Sequence, residues 1–259
     1  MRVQPHPSTV DVLDRTMRDV TTPTRTRRWL LERAAAGAAG VAAGGALAPV
    51  AAASARPGDT SIRAFGEVAV TTEALTVTLL TELLRRVSHH PDVPAGVKAV
   101  FEGAYAAEVD HLRFTRRHWR PTTTTFWLPD GAFGGSGDAL DLKAVGKTLT
   151  AGETLFVNLY LIGVTTFARA GRATFARYSG ELAGVEAEHR VLARTLIDAT
   201  PPNDVGFEVY SIKRPEGIER ALRQAGIGFG EQGATPGRFY SLAHPVMPPP
   251  LRIRSNRPR

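Results

Sequence analysis

The 259-residue chain has no cysteine. Disulfides, thiolate-held zinc, iron–sulfur clusters and a cysteine nucleophile are therefore excluded. Aromatic residues are sparse at 7%, while hydrophobic residues reach 43% and charged residues 22%. That balance excludes a disordered polyelectrolyte and leaves enough apolar material for one sizeable core plus appendages. Hydrolase signatures are missing too: there is no Gly-x-Ser-x-Gly and no His-Glu-x-x-His. The glycine-rich stretch Asp130–Gly137 follows no expected strand and leads into no Gly-Lys-Ser/Thr, so it reads as a flexible loop rather than a phosphate cradle.

What is present begins with charge. The formal net charge is +7, which would suit a polyanion partner if it lay on the folded body. It does not. Residues 1–55 carry a net +3, and the last dozen residues hold Arg252, Arg254, Arg257 and Arg259 without an acid, leaving 56–247 neutral. Nucleic acid is therefore not an expected partner.

The first 55 residues read as an address. Arg27-Arg28-Trp29-Leu30-Leu31 precedes the run Ala34–Ala48, almost wholly Ala, Gly, Val and Leu, and small-residue cleavage options follow at Ala51–Ala55. This resembles a twin-arginine export signal. It implies the twin-arginine translocase as a partner during export, removal of residues 1–55, and a final place in the periplasm, cell envelope or outside the cell. The apolar run, about 15 residues and rich in Ala and Gly, is too short for a stable membrane span after processing.

Four long helical patterns follow, over about 59–88, 95–119, 150–170 and 171–198, separated by Pro91, Pro94, Pro121, Gly171 and the Pro201-Pro202 pair. The fold class expected is all-α: an antiparallel four-helix bundle over 56–199, with an irregular C-terminal extension over 200–259. Phe207–Ile212 could form a short strand and Pro215–Ala225 a short helix. Phe207, Tyr210, Phe229, Phe239 and Tyr240 are the expected anchors of the extension on the bundle.

Two pairs carry chemistry. The second helix contains Glu108-Val-Asp-His111 and the fourth contains Glu186-Ala-Glu-His189. Residues three apart share a helix face, so each carboxylate and imidazole can address one cation, and both pairs continue the apolar stripe of their own helix. Hard carboxylate oxygens with an imidazole suit iron or manganese.

The export signal, the four helices and the placement of Glu-x-x-His on the second and fourth resemble the ferritin-like superfamily, in particular exported ferritin-like proteins of the desiccation-related type. The resemblance spans about 60–198, with its most specific text around Ala107–His111, Gly163–Phe167 and Gly184–His189. It implies one further Glu from the first helix and one from the third, and redox chemistry with oxygen or peroxide if the chain is an enzyme. This chain departs from that pattern. Tyr160 stands where the resemblance places the third-helix Glu, and Glu153 falls in the first turn of that helix as read here. On the first helix the register lands on Thr78, one turn from Glu82, while Glu73 reads as part of a polar face. The expected ligand set is thus Glu82, Glu108, His111, Glu186 and His189, an incomplete site. The alternative is a metal-free polar core in a non-catalytic envelope or stress-associated protein on the same fold.

Overall fold

The computed structural model describes residues 58–243, 248–250 and 252–256. The export-signal reading of residues 1–55 lies outside them. The described chain is mostly helical, compatible with an all-α bundle. Its elements are α1 (Gly58–Ser88), α2 (Ala95–Thr115), α3 (Leu142–Arg169), α4 (Ala173–Thr195) and α5 (Pro215–Gln224), with strands β1 (Thr125–Pro129), β2 (Gly228–Phe229) and β3 (Gly237–Ser241).

Helix α1 is buried on nearly every side from Val68 to Leu80, although it is rich in threonine. Its hydroxyls explain how. Thr71, Thr72, Thr76, Thr78 and Thr81 each donate to the carbonyl of the residue four before them, so β-branched polar residues enter the core without orphan donors. Helix α3 begins eight residues earlier than the sequence pattern suggests. Asp141 caps it, accepting from the Lys143 amide at 2.8 Å, and Leu142–Leu149 join the helix. Glu153 consequently lies well inside α3 rather than at its first turn. Helix α2 closes at Thr115, short of Trp119.

The long helices pack α3 against α4, α1 against α2, and α1 against α3, whereas the α2 and α4 backbones stay farther apart and meet through side chains such as Phe114 and Tyr178. Two glycines make this possible. Gly171, at φ +70°, turns the chain between α3 and α4. A Cβ at Gly163 would sit 2.6 Å from the Phe65 ring and 2.7 Å from the Ser179 hydroxyl, so only glycine lets α3 approach α1 and α4 there. Helix α3 is long and apolar enough to cross a membrane by composition, but 61% of its most apolar window is buried inside the fold, as expected for a core helix.

Beyond the helices the structure departs from a purely α reading. β1 is the centre of a three-stranded antiparallel sheet in the order β2-β1-β3, with Phe126 opposite Phe229 and Trp127 opposite Phe239. The 200–259 extension is therefore not wholly irregular. The segment 207–212, expected as a strand, has no ladder partner. Instead the buried Asn158 amide on α3 donates to the Ile212 carbonyl at 2.8 Å and its oxygen accepts from the Ile212 and Ser211 amides. One side chain takes the place of a neighbouring strand. Arg190 on α4 adds a two-pronged pair to Glu208, both contacts at 2.6 Å. Of the expected anchors, Tyr210 and Tyr240 pack against the core and Phe229 is part of it, but Phe207 is 94% exposed and Phe239 47%. Phe207 anchors nothing; the chain is held beside it through the Arg190–Glu208 pair instead.

Candidate metal centre

Four helices each send a carboxylate to one level of the interior. Glu73 comes from α1, Glu108 from α2, Glu153 from α3 and Glu186 from α4, and all four are at most 4% exposed. His111 and His189 follow their own helix's carboxylate by three residues, so each imidazole lies one turn above it on the same face. The Nδ1 of His111 is 3.1 Å from Glu186 and 3.6 Å from Glu108. The Nδ1 of His189 is 2.9 Å from Glu108 and 3.2 Å from Glu186.

The ligand atoms fall into two overlapping groups. Atoms of Glu73, Glu108, His111 and Glu186 all lie within 4.8 Å of one another, and so do atoms of Glu108, Glu153, Glu186 and His189. Glu108 and Glu186 belong to both. Each group has one carboxylate and one imidazole of its own, so the arrangement is close to two-fold: Glu73 and His111 on one side, Glu153 and His189 on the other.

Burial and mutual repulsion set the protonation. Burial pushes the Glu73 carboxyl well above the usual carboxylate range, and the charge of Glu108 adds to it. Glu153 is raised well above that range by burial and then by the charge of Glu186. Glu108 is held well below it, because the two imidazoles outweigh the burial that opposes ionisation. Burial alone would lower both imidazoles, yet the Glu186 and Glu108 carboxylates raise His111 and His189 well above the ordinary histidine value. The cluster thus favours positive charge within it, whether protons or metal cations.

The donor set fits divalent cations. Glu73 Oε2, Glu108 Oε2 and Glu153 Oε2 are buried without a hydrogen-bond partner, while Glu108 Oε1, Glu186 Oε1 and His111 Nδ1 have only the imidazole–carboxylate contacts of 2.9 and 3.1 Å within the cluster. Each such atom left bare in an apolar interior costs about 1–3 kcal/mol. Their convergence as carboxylate oxygens around one imidazole per group matches hard, oxygen-preferring metals such as iron or manganese.

The structure brings together Glu108, His111, Glu186 and His189 as the sequence expected. It does not bring Glu82 to them. Glu82 lies nine residues beyond Glu73 along α1 and is bound by Arg85 and Arg86, with three contacts of 2.8 Å, so its oxygens are already saturated. Glu73 and Glu153 take the positions left vacant in the expected set. Tyr160 is no ligand in this arrangement; its hydroxyl donates to Glu73 Oε1. Burial, followed by the neighbouring Glu73 charge, raises its pKa well above the ordinary phenol value, so the phenol keeps its proton.

Both missed residues left a signal. Glu73 has Ala69, Val70, Thr76 and Val77 at helical spacing, and Glu153 has Leu149, Thr150, Phe156 and Val157. Neither carboxylate has a polar face to lie on, and that is what marks it as inward-facing. Glu73 also precedes Glu108 at nearly the separation at which Glu153 precedes Glu186, an internal symmetry visible in the sequence. In comparisons with known proteins, no family model, curated protein or solved structure matches the chain, so the side-chain geometry itself bears on function.

Proposed function

We propose that this chain is an exported ferritin-like bundle protein holding two iron or manganese ions between α1, α2, α3 and α4. The observation that carries the reading is the pair of overlapping ligand groups that share Glu108 and Glu186. Glu73 and His111 would complete one ion's protein ligands, and Glu153 and His189 the other's. When bound, such a pair supplies one-electron or two-electron exchange with oxygen or peroxide. The chain's own part is to fix the six ligands on four helices, hold Glu73 through the Tyr160 hydroxyl, and line the Glu153–His189 side with the buried Leu80 and Phe101. Export by the twin-arginine route is proposed from residues 1–55 alone.

Anaerobic loading with Fe(II) or Mn(II), followed by elemental analysis, tests it. The expected result is close to two ions per chain for the wild type. Glu108→Gln with Glu186→Gln should abolish uptake, because those carboxylates are shared, while Glu153→Gln should lose about one ion. Wild-type protein that takes up neither metal overturns the reading.

A second reading has an observation of its own. The His111–Glu186 and His189–Glu108 contacts cross between α2 and α4, so the cluster could serve as a metal-free polar tie in a structural protein. In that case neither chelator nor added metal shifts the melting temperature.

A further inference from the structure

Two segments meet at the end of the bundle where α2 and α3 finish, and neither contains an acid. Residues 111–129 and 154–180 hold seven arginines and no Asp or Glu. Aromatic packing joins them. Trp119 lies 6.3 Å from Phe167 and 6.4 Å from Phe175, and Phe114 meets Tyr178 at 5.5 Å. A Cβ on Gly66 would collide with the Trp119 ring, so glycine in α1 leaves the space in which that ring sits.

The packing gathers charge. Arg116 is half-buried, and Arg117, Arg120, Arg169 and Arg172 are exposed. Among the described residues the ion pairs at this end are Arg63–Glu67 and Arg177–Glu181, and those five arginines take part in neither. Burial and then the charge of Arg120 lower the Arg116 pKa, and burial and then Arg117 lower that of His118, as like charges do when crowded. With the flanking turns of α1, α2 and α4 included, eight arginines stand against four acids, Asp59, Glu67, Asp110 and Glu181. Residues 56–247 are neutral as a whole, so the excess belongs to this end. Helix dipoles account for Arg116 and Arg169, at the ends of α2 and α3, but not for Arg172 at the N-terminus of α4, where a cation is disfavoured.

We infer that this end of the bundle docks on an anionic lipid surface. The chain that precedes α1 enters at the same end, since Phe65 packs 6.3 Å from Trp119. The apolar run Ala34–Ala48 closes ten residues before Gly58, which keeps it within about 35 Å of α1. Half-buried Trp119 among arginines is the combination that suits a headgroup layer. The arginines lie on helix ends and turns, with no helix or strand projecting among them to enter a nucleic-acid groove. Metal in the cluster is not required.

Flotation of the full chain with vesicles of phosphatidylglycerol and phosphatidylcholine tests this, beside vesicles of phosphatidylcholine alone. The chain should prefer the anionic vesicles, and about 0.5 M salt should remove the preference. Arg116→Gln/Arg117→Gln/Arg120→Gln should weaken anionic binding about a hundredfold, and Arg169→Gln/Arg172→Gln, at exposed positions, about twentyfold. Arg214→Gln/Arg220→Gln, which takes two charges from α5 and its N-terminus, should leave the preference in place. Equal binding to both vesicles overturns the inference. So does an equal loss in the α5 variant, which would make net charge the cause. Binding to a short DNA duplex, weakened by the same arginine changes and without vesicle binding, overturns it in favour of nucleic acid.

Discussion

Two places in α1 bury a glutamate, and they solve the same electrostatic problem differently. Glu82 is 6% exposed and lies against Arg86, which is fully buried. The Arg86 guanidinium also donates to the Gly135 and Ala139 carbonyls and stacks 4.1 Å over Phe133. Every charge in that knot has a partner supplied by the chain. Nine residues earlier, Glu73 enters a cluster of two overlapping groups, four carboxylates and two imidazoles in all, whose carboxylates pair with imidazoles and, among the described residues, with no Arg or Lys. The first region is complete by itself, whereas the second has more acceptors than the chain provides donors. The difference teaches how to tell a structural buried acid from a ligand: the structural one brings its own cation.

The contrast is broken most strongly at the complete end. Arg86→Leu should cost about 3 kcal/mol, since it strips the buried partner from Glu82 and abandons the loop carbonyls. The double change Glu82→Leu/Arg86→Leu should recover a large part of that loss, as read from urea melts. A double variant no more stable than the single one would show that the knot matters for its loop contacts and not for its charge pair.

The pH dependence of the two regions should have opposite sign. Glu73, Glu153, His111 and His189 all have pKa values raised in the folded protein. The folded metal-free protein therefore keeps protons that the unfolded chain releases. Their stabilisation is full below the unfolded values and is lost as pH rises through the folded ones. For Glu82, burial raises the pKa, but hydrogen bonds from Arg85 and Arg86 prevail and leave it below 4.5. Its contribution is present above the unfolded value and disappears as pH falls through the folded one. Chelator-treated protein should thus lose stability as pH is raised from the unfolded histidine value of about 6.5 to about 9, and Mn(II) should remove that loss because cations displace protons better at high pH. A flat urea midpoint across that range with chelator would contradict the protonation pattern.

The smallest effect is expected at Tyr160. Tyr160→Phe keeps the ring packed on Phe65, whose centroid is 6.3 Å away, and removes only the donor to Glu73. Stability should fall by about 1 kcal/mol, and affinity for one of the two ions by about tenfold. Elemental analysis at limiting metal should then show one ion retained and one depleted. Equal loss of both would mean that Tyr160 does not act through Glu73.

Much of the fold was legible in the residues. Apolar periodicity and proline breaks located the four long helices to within a few residues, except where Asp141 starts α3 early. That one misplaced start hid Glu153, because a glutamate in a first turn has a ready explanation in the helix dipole. The sheet was missed for another reason. Thr125–Leu128 has strand-forming residues, but its partners Gly228–Phe229 and Gly237–Ser241 lie about a hundred residues away, and strand pairing at that range carries no local pattern. In the site, the two Glu-x-x-His pairs were readable because both members lie on one helix. Glu82 has Arg85 and Arg86 at helical spacing and Glu73 has apolar neighbours there, but no local pattern shows which groups face Glu73 from the other helices.

The sequence by itself determined the chemistry available. Without cysteine, any metal must be held by carboxylate and imidazole, and the spacing of Glu108 with His111 and Glu186 with His189 places those groups on two helix faces. Only the tertiary structure decided which carboxylates join them. Whether an acid on α1 or α3 serves the cluster depends on what stands across from it. Glu82 is held by Arg85 and Arg86 on its own helix, a pairing that their spacing already permits, whereas Glu73 and Glu153 face acids and imidazoles that only packing brings from neighbouring helices. A helix's sequence sets the direction of its side chains, but their electrostatic partners are set by packing between segments far apart in the chain.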